Sequence, residues 1–148
     1  MPEVKPNWEN INKVCDRIEA DPDSFDMAVY FAETYCGTVA CFAGHAALEM
    51  GMVPANLRET EGVGDRDNAR LAVRPWMRQD WKEASMVRYP HHQRLLGSDD
   101  YAPMISVRSV ATEYLGLTDD QAEQIFTAWD VCTVEDLRLK IKEVLGDE

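Results

Sequence analysis

Cys36, Cys41 and His45 lie close together along the chain. On a helix, Cys41 and His45 would share a face, a spacing that can set two metal ligands side by side. Cys36, just before them, could fold back as a third. Cys41 would fall in the first helical turn, where the helix dipole lowers a thiol's pKa, so redox or nucleophilic thiol chemistry is also open to this stretch. The competing account is packing. A free cysteine is most often a small buried hydrophobe, no Cys-x-x-Cys pair occurs, and no fourth ligand is evident. The segment is therefore expected to hold neither metal nor cofactor, with Cys36, Cys41 and His45 kept as a metal-or-thiol alternative. The four cysteines (Cys15, Cys36, Cys41, Cys132) are spread along a chain large enough to build a core without disulfides.

A second constellation is basic. Arg66, Arg70, Arg74, Arg78 and Lys82 recur every four residues, Arg88 and Arg94 follow, and Trp76, Trp81, Tyr89 and His91-His92 are interleaved or close by. From 66 to 94, seven bases face three acids (Asp67, Asp80, Glu83), a local +4 in a chain of net charge −12. Guanidinium forks over phosphates and aromatic planes for stacking are what single-stranded nucleic acid or a nucleotide requires. Arg70, Arg74, Arg78 and Lys82 with Trp76 and Trp81 are the candidate binding residues. Steps of four drift about 40° each around a helix, so the ladder keeps roughly one face over two or three turns, and Pro75 bends it. The favoured account is neutralisation by the acidic ends of the same chain or of a sister subunit, with Trp76 and Trp81 as core or interface anchors.

The acids form the third. Residues 1–34 carry eight acids and three bases, 113–148 carry ten and three, and 35–112 carry nine of each, so the whole −12 resides in the two ends. Asp119-Asp120, Glu123, Asp130, Glu135-Asp136 and Glu143 would line the outer faces of the last two helices. Such a surface repels nucleic acid and anionic membrane at long range. It is either a solvated face or a mimic of DNA phosphates. No Gly-rich phosphate loop, Gly-x-Ser-x-Gly elbow or His-Glu-x-x-His occurs, and nothing selects one acid pair for proton transfer, so no catalytic residue is assigned and the chain is not expected to be an enzyme.

The elements that position these groups are expected to be all-α, a single domain over 1–148 with five to six helices and an irregular, loop-rich insertion at 52–104. Trp8, Ile11, Cys15 and Ile18, with Val14 beside them, trace an amphipathic helix capped by Asn7 and ended at Asp21-Pro22-Asp23-Ser24. Residues 25–36 read as a short helix or an extended connection. Thr38 suits the N-cap of a helix through Met50, and the nearly side-chain-free face of Ala40, Ala43, Gly44 and Ala47 places that helix at the centre. A further helix is expected over about 74–87, with Pro75 in its first turn. Val107, Val110, Ala111 and Tyr114 make the next, ended at Gly116. Thr118 to Gln121 reads as a capping box, with Leu117 and Ala122 as its staple. It opens a helix with Ala122, Ile125, Phe126 and Trp129 on one face. Thr133 caps the last, with Val134, Leu137, Ile141 and Val144 inward. The longest weakly polar stretch, 39–50, contains His45 and Glu49 and is no membrane span, and the first residues lack a signal-peptide layout, so a cytoplasmic protein is expected.

The run Cys36-Gly37-Thr38-Val39-Ala40-Cys41-Phe42-Ala43-Gly44-His45-Ala46 resembles a segment of small uncharacterised proteins of actinobacteria and their phages, in which Cys-Gly-Thr-x-x-Cys leads into an Ala-Gly-rich helix. Tyr114-Leu115-Gly116-Leu117-Thr118, with Gln121-Ala122 and Ile125-Phe126, is similar to their C-terminal part. The resemblance covers about half the chain and skips 52–104. It admits Trp at the place of His45, which counts against an essential histidine there. It implies a phage or prophage origin and brings no activity with it. Acidic charge, the absence of a catalytic signature and this resemblance together point to an accessory protein that binds a host protein. Nucleic-acid or nucleotide binding through 66–94, DNA mimicry and the Cys36/Cys41/His45 site are the alternatives. Opposite charges along one chain also allow a homodimer.

Overall fold

A computed structural model describes residues 4–27, 29–34, 37–60, 81–88, 104–128 and 130–147. It is a mixed α/β fold, and the all-α expectation is wrong. Among the described residues there are five α-helices and two small antiparallel sheets. The helices are α1 (Trp8–Ala20), α2 (Phe42–Glu49), α3 (Val107–Leu115), α4 (Asp119–Phe126) and α5 (Val134–Leu145). A single 3-10 turn, Pro22–Ser24, follows α1. The strands are β1 (Phe31–Thr34), β2 (Gly37–Ala40), β3 (Val53–Pro54), β4 (Arg58–Thr60), β5 (Trp81–Ala84), β6 (Met86–Arg88) and β7 (Ile105–Ser106). One sheet runs β2-β1-β5-β4 and the other β3-β6-β7.

The sheets overturn three local expectations for one physical reason. Strands of two to four residues are too short to show period-2 alternation, and distant pairing decides them. The helix expected at 74–87 meets β5 and β6 over its described part; Lys82 sits opposite Glu33 on one side and Glu59 on the other. The segment 52–104 is not simply an irregular insertion, because β3 to β6 come from it and supply two of the four strands of one sheet and two of the three strands of the other. The helix expected from Thr38 begins at Phe42 instead, since Thr38 and its neighbours are paired with β1 as β2. Val39 to Ala47 is one apolar, small-residue run, and periodicity alone cannot see that it changes from strand to helix at Cys41.

The helical expectations at the two ends hold. The Asn7 side chain accepts the Asn10 N–H at 3.1 Å, and Ile11, Val14, Cys15 and Ile18 are buried along α1. Thr118 and Gln121 make the reciprocal capping box of α4, and the Thr133 hydroxyl accepts the Asp136 N–H to cap α5. Gly116 ends α3 in the left-handed region (φ 68°), and a Cβ there would also fall within 3.0 Å of Lys5 O and Asn7 N. The chain entering α1 lies directly against that turn: Asn7 N donates to Leu115 O, and Asn10 Nδ2 to Tyr114 O, both at 2.9 Å.

α2 is the centre of the core, packed on α1 and α3, with Phe42, Ala43, Ala46 and Ala47 buried. Its small-residue face is needed for a backbone crossing rather than for another helix alone. At Gly44 a Cβ would fall within 3.0 Å of the Tyr30 carbonyl oxygen and 2.8 Å from Ala40 Cβ. Among the described residues, no helix is long and apolar enough to cross a membrane.

Candidate functional site

α2 starts where β2 stops. Cys41 has extended backbone, and its Sγ accepts the Gly44 N–H at 3.5 Å, filling the N-cap position more often held by a hydroxyl or carboxylate. Two effects compete at this thiol. Burial raises its pKa, while the N–H groups of Gly44 and Ala43 lower it; burial wins and pushes it up to about 11. Burial therefore favours the thiol over the thiolate at Cys41.

His45 lies one turn further along and is 3% exposed. Its Nε2 donates to the Ser24 carbonyl oxygen at 2.9 Å and stands 3.3 Å from Ser24 Oγ. The Ser24 hydroxyl itself donates to the Asp21 carbonyl at 2.7 Å. With the proton on Nε2, Nδ1 keeps a lone pair, and it has no hydrogen-bond partner among the described residues. Burial lowers the His45 pKa, the Ser24 bond opposes that, Arg17 adds to it, and Asp21 works against it. Serine and histidine are adjacent, but the Ser24 hydroxyl donates to a carbonyl and, among the described residues, no carboxylate orients Nδ1 as a Ser-His-Asp arrangement requires. Sequence reasoning missed Ser24 as the partner of His45; the Asp-Pro-Asp-Ser turn was legible, but nothing local says where it folds back.

Among the described residues no group of three His, Cys, Asp or Glu side chains could hold a metal ion. Cys36 lies outside the described residues, as do Arg66, Arg70, Arg74, Trp76, Arg78, Tyr89, His91, His92, Arg94 and Trp129. Of the basic ladder, Lys82 is placed: exposed on β5, with Glu33 and Glu59 as its register neighbours on β1 and β4. Directly opposed charges of opposite sign stabilise a sheet, so this lysine sits in an acid-flanked position rather than on an open basic stripe. Trp81 opens β5 opposite Thr60.

Two surface grooves accompany these features. One, about 460 Å³, runs beside β1, β4 and β5 and is walled by Tyr30, Asn56, Arg58, Glu59, Glu83 and Ser85 among others. Asn56 is occupied there as a staple: its Oδ1 accepts the N–H groups of Ser85 and Met86 at 3.0 and 2.9 Å. The other, about 210 Å³, lies between α1 and α5 over Trp8, Ile11, Cys15 and Ile141. On its rim Arg138 binds Asp16 at 2.9 Å and Glu19 at 3.1 Å, and burial pushes the Cys15 thiol up to about 11.

The charge expected at the ends becomes one helical layer. Residues 4–27 and 104–147 together carry 15 acids and seven bases, a net of −8. Six of the seven bases are already in ion pairs: Lys13, Arg17, Arg108, Arg138, Lys140 and Lys142. Asp120, Asp130 and Glu135 are exposed and make no ion pair among the described residues. Asp119, Asp120, Glu135 and Asp136 occupy the first turns of α4 and α5, where the helix dipole favours them, which gives these acids a structural reason as well. No family model, curated protein or solved structure matches the chain.

Proposed function

We propose that this chain is a small acidic accessory protein, encoded by a phage or prophage, that acts in the host cytoplasm by binding a host protein and is not an enzyme. The observation that carries this is the helical layer: six of its seven bases are in ion pairs, while Asp120, Asp130 and Glu135 are exposed and make no ion pair among the described residues. A surplus of exposed carboxylates on a folded frame selects a basic partner and speeds its approach. The DNA-mimic reading is the special case in which that partner is a DNA-binding protein. Nucleic-acid or nucleotide binding through 66–94 is the competing function, and the acid-flanked position of Lys82 weighs against it.

The test is capture from an actinobacterial lysate at low salt, followed by reconstitution with the purified partner. Neutralising the acids (Asp120→Asn, Asp130→Asn, Glu135→Gln) should weaken the reconstituted complex at least tenfold, and raised salt should do the same to the wild type. A complex indifferent to both would sink the proposal. Titration with a fluorescent single-stranded oligonucleotide at about 50 mM salt separates the competing function: tight, steeply salt-dependent binding would establish it instead.

A further inference from the structure

Between α1 and β1 the chain crosses the start of α2 as a strap, described at residues 21–27 and 29. It is fastened at four described points. Ser24 O receives the His45 Nε2–H; Phe25 forms a parallel bridge with Ala40; Asp26 N donates to Ala40 O at 3.0 Å; and Cys41 N donates to Val29 O at 3.0 Å. Phe25, Asp26, Met27 and Val29 are buried beneath or within it. β2 is an edge strand of its sheet, so the strap also closes the Ala40 end of an edge that would otherwise be open to pairing.

We propose that the strap is a proton-released latch, held shut by neutral His45 and opened when a proton on Nδ1 leaves that atom buried as a donor with no acceptor. Among the described residues, His45 is the side chain that ties the strap's 3-10 turn to α2 through an ionisable imidazole. In the closed state Nε2 needs its proton for Ser24 O, so any added proton goes to Nδ1, where the described surroundings offer nothing to receive it. The charge so created is also buried. On α1, Arg17 repels it, although Glu49 of α2 pairs with Arg17 at 3.1 Å; on the turn, Asp21 attracts it and Asp23 is exposed to solvent. On α2, Cys41 lies one turn before the ring and Glu49 one turn after; on the strap, Asp26 is buried and acts on Cys41. The single attractive carboxylate on the turn does not replace a hydrogen-bond acceptor for Nδ1. Opening lets the imidazolium reach water and frees Ala40 O and the Cys41 N–H together.

The sign follows from linkage. The open strap takes up a proton near the ordinary histidine value of 6.5, and the closed strap takes it up less readily, so the open fraction grows as pH falls below that value. The growth is bounded at about thirtyfold between pH 7.5 and 5, the limit at which the closed form takes no proton at all.

Amide hydrogen exchange on the whole protein, corrected for the intrinsic pH dependence of exchange, reads this directly. The Asp26 and Cys41 amides should open several-fold more often at pH 5 than at pH 7.5, while Leu137, bonded to Thr133 O within α5, should not follow them. His45→Gln keeps a neutral donor toward Ser24 and cannot titrate, so the strap amides should lose their pH response. A strap that opens no more at pH 5 in the wild type overturns the latch. So does an equal response in His45→Gln, which would assign the effect to another group, and so does parallel opening of α5, which would make the event global. Should His45→Gln fail to fold, the wild-type imidazole resonances decide: the strap amides must change over the same pH range as the His45 ring, and a ring that titrates without them refutes the proposal.

Discussion

At Gly44 the backbone of Tyr30 crosses α2 so closely that a methyl group has no room, whereas on α4 and α5 Asp120, Glu135 and Leu139 project into solvent. The centre is held by shape. Ala43, Gly44, Ala46 and Ala47 are small there, and at Gly44 the Tyr30 backbone and Ala40 Cβ already use the space a Cβ would need. The outer helices are held by a buried stripe (Ala122, Ile125, Phe126; Val134, Leu137, Ile141) and by caps, so their exposed positions are free of packing constraints. The contrast separates where sequence is dictated by folding from where it is available for a partner.

The strongest way to break that contrast is to add one carbon at the centre. Gly44→Ala should cost about 3 kcal/mol, because the atoms it meets are a backbone carbonyl and another Cβ rather than a side chain that can swing away. Gly116→Ala should cost about 2–3 kcal/mol, since it adds left-handed strain to the collision with the Lys5 and Asn7 backbone. Urea unfolding should show both as lower midpoints. A Gly44→Ala protein as stable as the wild type would mean that Tyr30 does not cross α2 as described.

Acid should come next, and it should act at the centre rather than at the surface. The His45 pKa is lowered by burial, so the folded state binds fewer protons than the unfolded state just below the ordinary value of 6.5. Its contribution to stability is therefore complete above that value and is lost as pH falls toward the folded pKa, with a slope of at most about 1.4 kcal/mol per pH unit. Urea midpoints compared at pH 7.5 and 5.5 in the wild type and in His45→Gln isolate this share, because the carboxylates are common to both. Equal pH dependence in the two proteins would remove His45 from the account.

A smaller effect sharpens the other side of the comparison. Thr118→Ala removes the hydroxyl that accepts the Gln121 N–H and breaks the reciprocal box, and should cost about 1 kcal/mol. That box was legible in the sequence because every part of it is local: Thr118, Gln121 and the stripe behind them lie within one turn or two. The same holds for Asn7, Thr133 and the left-handed Gly116. The sheets were not legible, and Lys82 shows why. Its four-residue spacing from Arg78 looks helical, but its conformation is decided by Glu33 and Glu59, 49 and 23 positions away, which no window along the chain connects. The spacing of Cys41 and His45 suggests one shared helix, but only His45 lies in α2; Cys41 is its N-cap, with extended backbone. Their partners, Gly44 N and Ser24 O, changed the chemistry: one thiol caps a helix, and one imidazole holds a strap. Ser24 could be found only through the fold-back of the turn at 21–24.

The least costly substitutions for folding should be the most costly for binding. Replacing Asp120, Asp130 and Glu135 by their amides removes three negative charges from exposed positions that carry no ion pair among the described residues. Asp120 and Glu135 each interact favourably with a helix N-terminus, so a loss of about 0.3 kcal/mol or somewhat more apiece is expected, while Asp130 precedes α5 and should matter less. The urea midpoint should therefore barely move. If the helical layer is the docking face, the same triple variant loses its partner, and folding and binding come apart in a single protein. A large loss of stability would instead show that these carboxylates are there for the helices, and the division between a packed centre and a free acidic face would no longer hold.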